Sequence, residues 1–97
     1  MSPVNPRETA DPLASLIAEY RLQLEAFNGR ARAEKDWKAL EADTYGPALN
    51  LLWHHTPEPN STAGVLAAML LAKDEPELYA LEFINEACIR YLTGASQ

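Results

Sequence analysis

Hydrophobic positions recur with helical spacing along most of this chain. Leu13, Leu16, Ile17, Tyr20, Leu24 and Phe27 stand at i, i+3, i+4, i+7, i+11 and i+14, which is one stripe of an amphipathic helix. Ser15, Glu19, Arg21, Gln23 and Glu25 fall on its other sides. Asp11-Pro12 marks the start, because Asp at the N-cap accepts a backbone N–H and Pro at the first helical position forfeits no hydrogen bond. Asn28-Gly29 supplies residues suited to a left-handed stop, so the pattern predicts a helix over 12–27.

A second helical phase runs through Trp37, Leu40, Thr44, Ala48, Leu51, Leu52 and His55. Gly46-Pro47 interrupts it, since Pro47 lacks an N–H and crowds the carbonyl of Asp43. A single kinked helix and two shorter helices both fit. The apolar phase carries across the interruption, which favours one kinked helix over 33–55. Thr56-Pro57-Glu58-Pro59 then forms the best-marked loop of the sequence.

From Ala63 to Ala72 ten residues carry no charge and no strong hydrogen-bonding side chain. A helix that is apolar all round belongs in an interior. We therefore expect a central helix over 62–73, capped by Ser61 with Asn60 as the rival cap, and enclosed by the other segments. Ten residues span about 15 Å, well short of a bilayer core of about 30 Å, so no membrane role is expected. Gly64 and Ala68, four apart, permit close approach by a neighbouring helix. A last helix is predicted over 76–92, with Leu78, Leu81, Ile84, Cys88, Ile89 and Leu92 inside and Gly94 as its stop.

No strand-like alternation occurs, and the expected class is all-α: a small bundle of about four helices in one domain over 11–94. Residues 1–10, with two prolines and little that is apolar, are expected to be a disordered tail. At 97 residues and 47% hydrophobic composition the chain can bury a core without covalent staples. One cysteine excludes an intrachain disulfide, and the opening Met-Ser-Pro-Val-Asn-Pro-Arg-Glu holds no apolar run of signal-peptide length, so a cytoplasmic location is expected.

The formal net charge is −6. Such a protein repels phosphate backbones unless its cations are segregated, so nucleic acid is not an expected partner. Arg30, Arg32, Lys35 and Lys38 do cluster, but Glu34, Asp36 and Glu41 interleave with them, and Glu34–Lys38 has the i,i+4 order of a solvated helix face.

The run Thr56-Pro57 followed by Ser61-Thr62-Ala63-Gly64-Val65-Leu66 resembles a phrase of short, uncharacterised bacterial proteins, all-helical, in which a Thr-Pro loop leads into a helix beginning Thr-x-Ala-Gly-Val. The Asp11-Pro12-Leu13 opening is similar to their usual start, and the similarity spans residues 11 to 72. The chain departs from the phrase at Asn60 and Thr62, where a threonine and an apolar residue are expected. The resemblance implies a helical fold and transfers no catalytic residue.

Chemical candidates are few. His54-His55 is the most tempting pair, yet adjacent helical residues point about 100° apart and do not converge on one metal while the helix persists. Only an end frayed into the Pro57 loop would bring them together, with Glu58 or Cys88 as a further ligand. No His-Glu-x-x-His or Cys-x-x-Cys spacing occurs, so neither metal nor cofactor is expected. Cys88 reads as a small core hydrophobe near a helix C-terminus, where the dipole opposes thiolate formation. Glu82, Glu86 and Arg90 read as a solvated charge row. No catalytic motif is present, and the chain is not expected to be an enzyme.

Association remains. Trp37, Trp53 and four tyrosines in so small a helical chain leave aromatic surface to cover, and an all-apolar helix is hard to wrap with three partners. The leading expectation is a protein–protein interaction or oligomerisation module, a homodimer with Trp37, Trp53, Gly64 and Ala68 as interface or packing residues. The rival is a small ligand-binding protein or enzyme with a pocket near Tyr45, His54 and His55.

Overall fold

The computed structural model describes residues 11–33 and 35–95. The expected tail over 1–10 and the Glu34 end of the Glu34–Lys38 pair lie outside them. Among the described residues five helices follow one another: α1 Pro12–Arg30, α2 Trp37–Asp43, α3 Gly46–His54, α4 Thr62–Asp74 and α5 Leu81–Ala95. No strand occurs among the described residues. The class is all-α, with one helix more than the pattern predicts.

Asp11 caps α1 as its sequence position implies. Its Oδ1 accepts the N–H of Leu13 at 2.8 Å and of Ala14 at 3.0 Å. Leu13, Ile17 and Tyr20 are buried, with Leu16 and Leu24 packed beside them. The helix does not stop at Asn28-Gly29. Gly29 keeps a negative φ, and the N–H of Ala31 still reaches the carbonyl of Phe27 at 2.8 Å. Nothing after Gly29 prevents continuation, because no proline follows.

The kinked helix over 33–55 resolves into two. α2 starts only at Trp37, where the Asp36 side chain accepts the N–H of Ala39 at 3.1 Å. It ends at Asp43, whose carbonyl would otherwise need the N–H that Pro47 lacks. Thr44 closes the end: its N–H goes to Glu41 O at 3.2 Å, and its hydroxyl donates to Leu40 O at 2.7 Å. Pro47 then sits in the first turn of α3, where a missing N–H costs nothing. The apolar phase that favours one helix survives, because Leu40, Ala48 and Leu52 are all buried.

α4 keeps its predicted extent to within one residue. It lies alongside α1, with which it makes the most extensive contact in the fold, and α5 packs on it as well. α1 and α4 run parallel. Asp11, at the head of α1, accepts hydrogen bonds at the head of α4, while Tyr20 and Arg21 further along α1 reach Glu75 and Asp74 at its foot. Leu13, Ile17, Leu52, Leu71 and Ile84 are the largest fully buried side chains, drawn from four of the five helices.

Enclosure of α4 is the expectation that fails. Gly64, Ala68 and Leu71 are buried, but Leu66, Met69 and Leu70 are 56%, 65% and 47% exposed. Only α1 and α5 lie against α4 with substantial contact, which leaves this outer side without a covering helix.

The last helix begins at Leu81, not at residue 76. Pro76 to Ala80 form successive tight turns, with the N–H of Leu78 on Glu75 O and that of Leu81 on Leu78 O, both at 3.1 Å. Ala80, Leu81, Ile84, Ala87 and Cys88 are buried. Ile89 and Leu92, expected on the inner stripe, are exposed. A residue turns about 100°, so Ile89 stands off the buried edge that Cys88 marks. Gly94 lies within α5 and does not end it.

Candidate functional site

Ser61 starts α4 with extended backbone, yet its side chain makes no hydrogen bond to its own helix. The hydroxyl instead donates to Asp11 Oδ2 at 2.9 Å, and the N–H groups of Asn60 and Ser61 reach the same oxygen at 2.8 and 2.9 Å. One carboxylate thus holds the heads of two helices. Burial alone would raise its pKa. Hydrogen bonds from Ala14, Ser61, Asn60 and Leu13 outweigh that and hold the Asp11 carboxyl below the usual carboxylate range.

Gly64 and Ala68 lie on the buried side of α4. Gly64 faces Asp11 and Pro59, so within this chain its contact is intramolecular. Trp37 is largely exposed at the head of α2, its indole N–H donating to Ala31 O at 3.2 Å. Trp53 stacks on His54, with ring centroids 4.8 Å apart, and on Tyr79 at 6.1 Å. Both tryptophans face solvent, whereas Gly64 and Ala68 face the interior. The four predicted positions therefore do not make one surface.

The expected pocket is also divided. Tyr45 packs edge-on against Tyr20 at 6.1 Å and Phe27 at 5.1 Å; burial, then Glu41, raises its phenol pKa. His54 and His55 line an open groove of about 500 Å³ that includes Trp53, Phe83, Glu86 and Arg90 but not Tyr45. Arg90 Nε lies 3.6 Å from Glu58 Oε2. No cluster of three His, Cys, Asp or Glu side chains able to hold a metal occurs among the described residues. Cys88 is buried, and burial followed by the charge of Asp11 pushes its thiol pKa up, away from nucleophilic use.

Hydrophobic patterning does not reveal the outer face of α4. Leu66, Met69 and Leu70 are spaced i, i+3, i+4 and so share one side of the helix. Beside them a shallow groove of about 260 Å³ runs between α1 and α4, its walls including Ala14, Ala18, Ala67 and Leu70. On the adjoining helix α5, Ile89 and Leu92 are also more than half exposed. The signal available in the sequence is the uniformity of 63–72 itself. A run apolar all round has no phase to say which side stays uncovered.

These features define a small all-helical protein with an uncovered apolar helix face and no assembled metal site among its described residues. No helix among the described residues is long and apolar enough to cross a membrane. No known protein family, curated protein or solved structure matches the chain.

Proposed function

We propose that this chain is a helical protein–protein interaction module that works as a homodimer. The observation that supports the reading is the outer face of α4, where three large apolar side chains stand about half exposed or more with no charge between Thr62 and Ala72. Single exposed hydrophobes are ordinary on soluble proteins, whereas the largest grouped patch of a monomer is often its functional surface. The aromatic group of Trp53, Tyr79 and Phe83 adds exposed anchors of the type enriched at interfaces.

Light scattering on a sizing column tests the reading. Twice the chain mass at micromolar concentration, with a melting temperature that rises with protein concentration, is the expected result. The chain mass at every concentration rejects it.

A second reading rests on the groove beside His54 and His55. Its volume of about 500 Å³ lies within the range of ligand pockets, roughly 300–1,000 Å³. A small-molecule thermal-shift screen on the wild type and on His54→Ala tests it. Stabilising compounds that lose their effect in the variant support the groove, and an absence of hits removes it.

A further inference from the structure

We infer that the surface on which two copies meet is the outer stripe of α4, Leu66-Met69-Leu70, packed against its own counterpart across a two-fold axis. This inference rests on the homodimer reading above and specifies where that dimer is made. Three observations carry it.

The first is charge. The chain carries a net charge of −6, and α1, α2 and α5 each present exposed carboxylates among their outward residues. Exposed cations accompany them, Arg30, Lys38 and Arg90, so two copies that meet through such faces must take charged groups of both signs out of water. α3 is uncharged too, but Asn50 and His54 break up its exposed side. α4 offers ten residues without charge or strong polarity, and its first exposed charge after Leu66 is Lys73. A two-fold crossing centred on Leu66 and Met69 sets the stripe against itself with no charge enclosed.

The second is area. The exposed fractions of Leu66, Met69 and Leu70 amount to roughly 350 Å² of apolar surface, the scale of the largest patch on an ordinary monomer. A specific interface buries about 800 Å² per partner, with an apolar centre and a polar rim. The stripe supplies the centre. Ile89 and Leu92 on the adjoining α5 are further exposed apolar side chains, and the shallow α1–α4 groove, whose lining includes the paired Arg21 and Asp74, falls to the polar rim.

The third is fit. α4 presents side chains of unequal reach, Leu66 and Met69 beside Ala63 and Thr62, all exposed. Large residues flanked by small ones are what a helix needs to interdigitate with a copy of itself.

The test uses the full chain. Leu66→Lys and Met69→Lys, alone and combined, are compared with wild type by light scattering, with far-ultraviolet circular dichroism to show that the helices persist. The expected result is a wild-type dimer and a double variant at half that mass with unchanged helicity. Independently, Met69→Cys under mild oxidation forms a covalent dimer on a non-reducing gel. Ala42→Cys, exposed on α2, which packs on α1 and α3, does not. The native Cys88 is buried and is present in both variants. A dimer that survives both lysines overturns the α4 face while leaving self-association standing, and cross-linking at Ala42 in place of Met69 does the same. A wild-type monomer overturns both.

Discussion

The carboxylate of Asp11 fills the space that a side chain on Gly64 would need. A Cβ built on Gly64 would overlap the Asp11 carboxylate and stand 2.5 Å from Pro59 Cβ. Glycine inside a helix normally costs about 0.8–1 kcal/mol relative to alanine, so Gly64→Ala at an open helical site would stabilise. Here the sign reverses. Either the carboxylate or Pro59 must move, and overpacking of this kind costs about 1–3 kcal/mol. We expect Gly64→Ala to destabilise by about that amount in urea denaturation, and Gly64→Leu by more than any exposed substitution. A change in Gly64→Leu within about ±0.5 kcal/mol, the usual range for surface sites, would falsify the close approach.

The same carboxylate makes stability depend on acid. Burial pushes the Asp11 carboxyl up, but the hydrogen bonds from Ala14, the Ser61 hydroxyl, Asn60 and Leu13 outweigh it and hold its titration below the ordinary value of 3.8. A carboxylate depressed on folding adds stability that is complete above the unfolded pKa and is lost as pH falls through the folded one. Wild type should therefore weaken as pH falls from the ordinary value of 3.8 through the lowered one, and Asp11→Asn should flatten that part of the profile. Asp11→Ala removes the α1 cap and strips partners from the head of α4, for a loss of about 2–3 kcal/mol at neutral pH. Urea midpoints across the pH range measure both effects.

That clamp shows how far the sequence can be read. The Asp11-Pro12 start of α1 is legible because capping is local, and so is the extent of α4. The partner of Ser61 is not. Local chemistry assigns its hydroxyl to its own helix, whereas the fold turns it to a carboxylate 50 positions away. At the other breaks, hydrophobic phase tells which residues face the core but not whether the backbone stays continuous between them. Leu40 and Leu52 are both buried, on either side of a break at Thr44-Tyr45 that phase alone bridges. The open side of α4 is hidden for a related reason. Ala63 to Ala72 is apolar on every side, and only the placement of α1 and α5 decides that Leu66, Met69 and Leu70 stay outside.

At the opposite end of the α1–α4 pair, the phenol of Tyr20 donates to Glu75 Oε1 at 2.8 Å. The ring is almost wholly buried, and burial, then the bond to Glu75 and its charge, raises the phenol pKa well above 10.0. A group raised on folding contributes stability that is complete below its unfolded pKa and is lost as pH climbs through the folded one. In an ultraviolet pH titration Tyr20 should ionise last among the four tyrosines, together with unfolding, and that late step should vanish in Tyr20→Phe. The variant should lose about 1 kcal/mol at neutral pH, since Glu75 is only partly buried and water can replace the lost donor. A Tyr20→Phe protein as stable as wild type throughout would remove the pin.

The corner between α2 and α3 depends on a second close approach. A Cβ on Gly46 would lie 2.8 Å from the carbonyl oxygen of Glu41, a backbone atom held by the N–H of Thr44 at 3.2 Å. A flexible side chain could yield; this carbonyl cannot move without opening the turn that ends α2. Gly46→Ala should therefore destabilise by about 1–3 kcal/mol. Gly29 offers the matched comparison, because it is helical and exposed, and a Cβ placed there would meet no atom within 4 Å. Gly29→Ala should stabilise by about 0.5–1 kcal/mol through the lost freedom of the unfolded chain. Opposite signs for the two substitutions in one denaturation series support a tight corner that needs glycine. Equal signs mean that α2 and α3 join through a backbone loose enough to accept a side chain, and the break at Thr44-Tyr45 then has to be attributed to Pro47 alone.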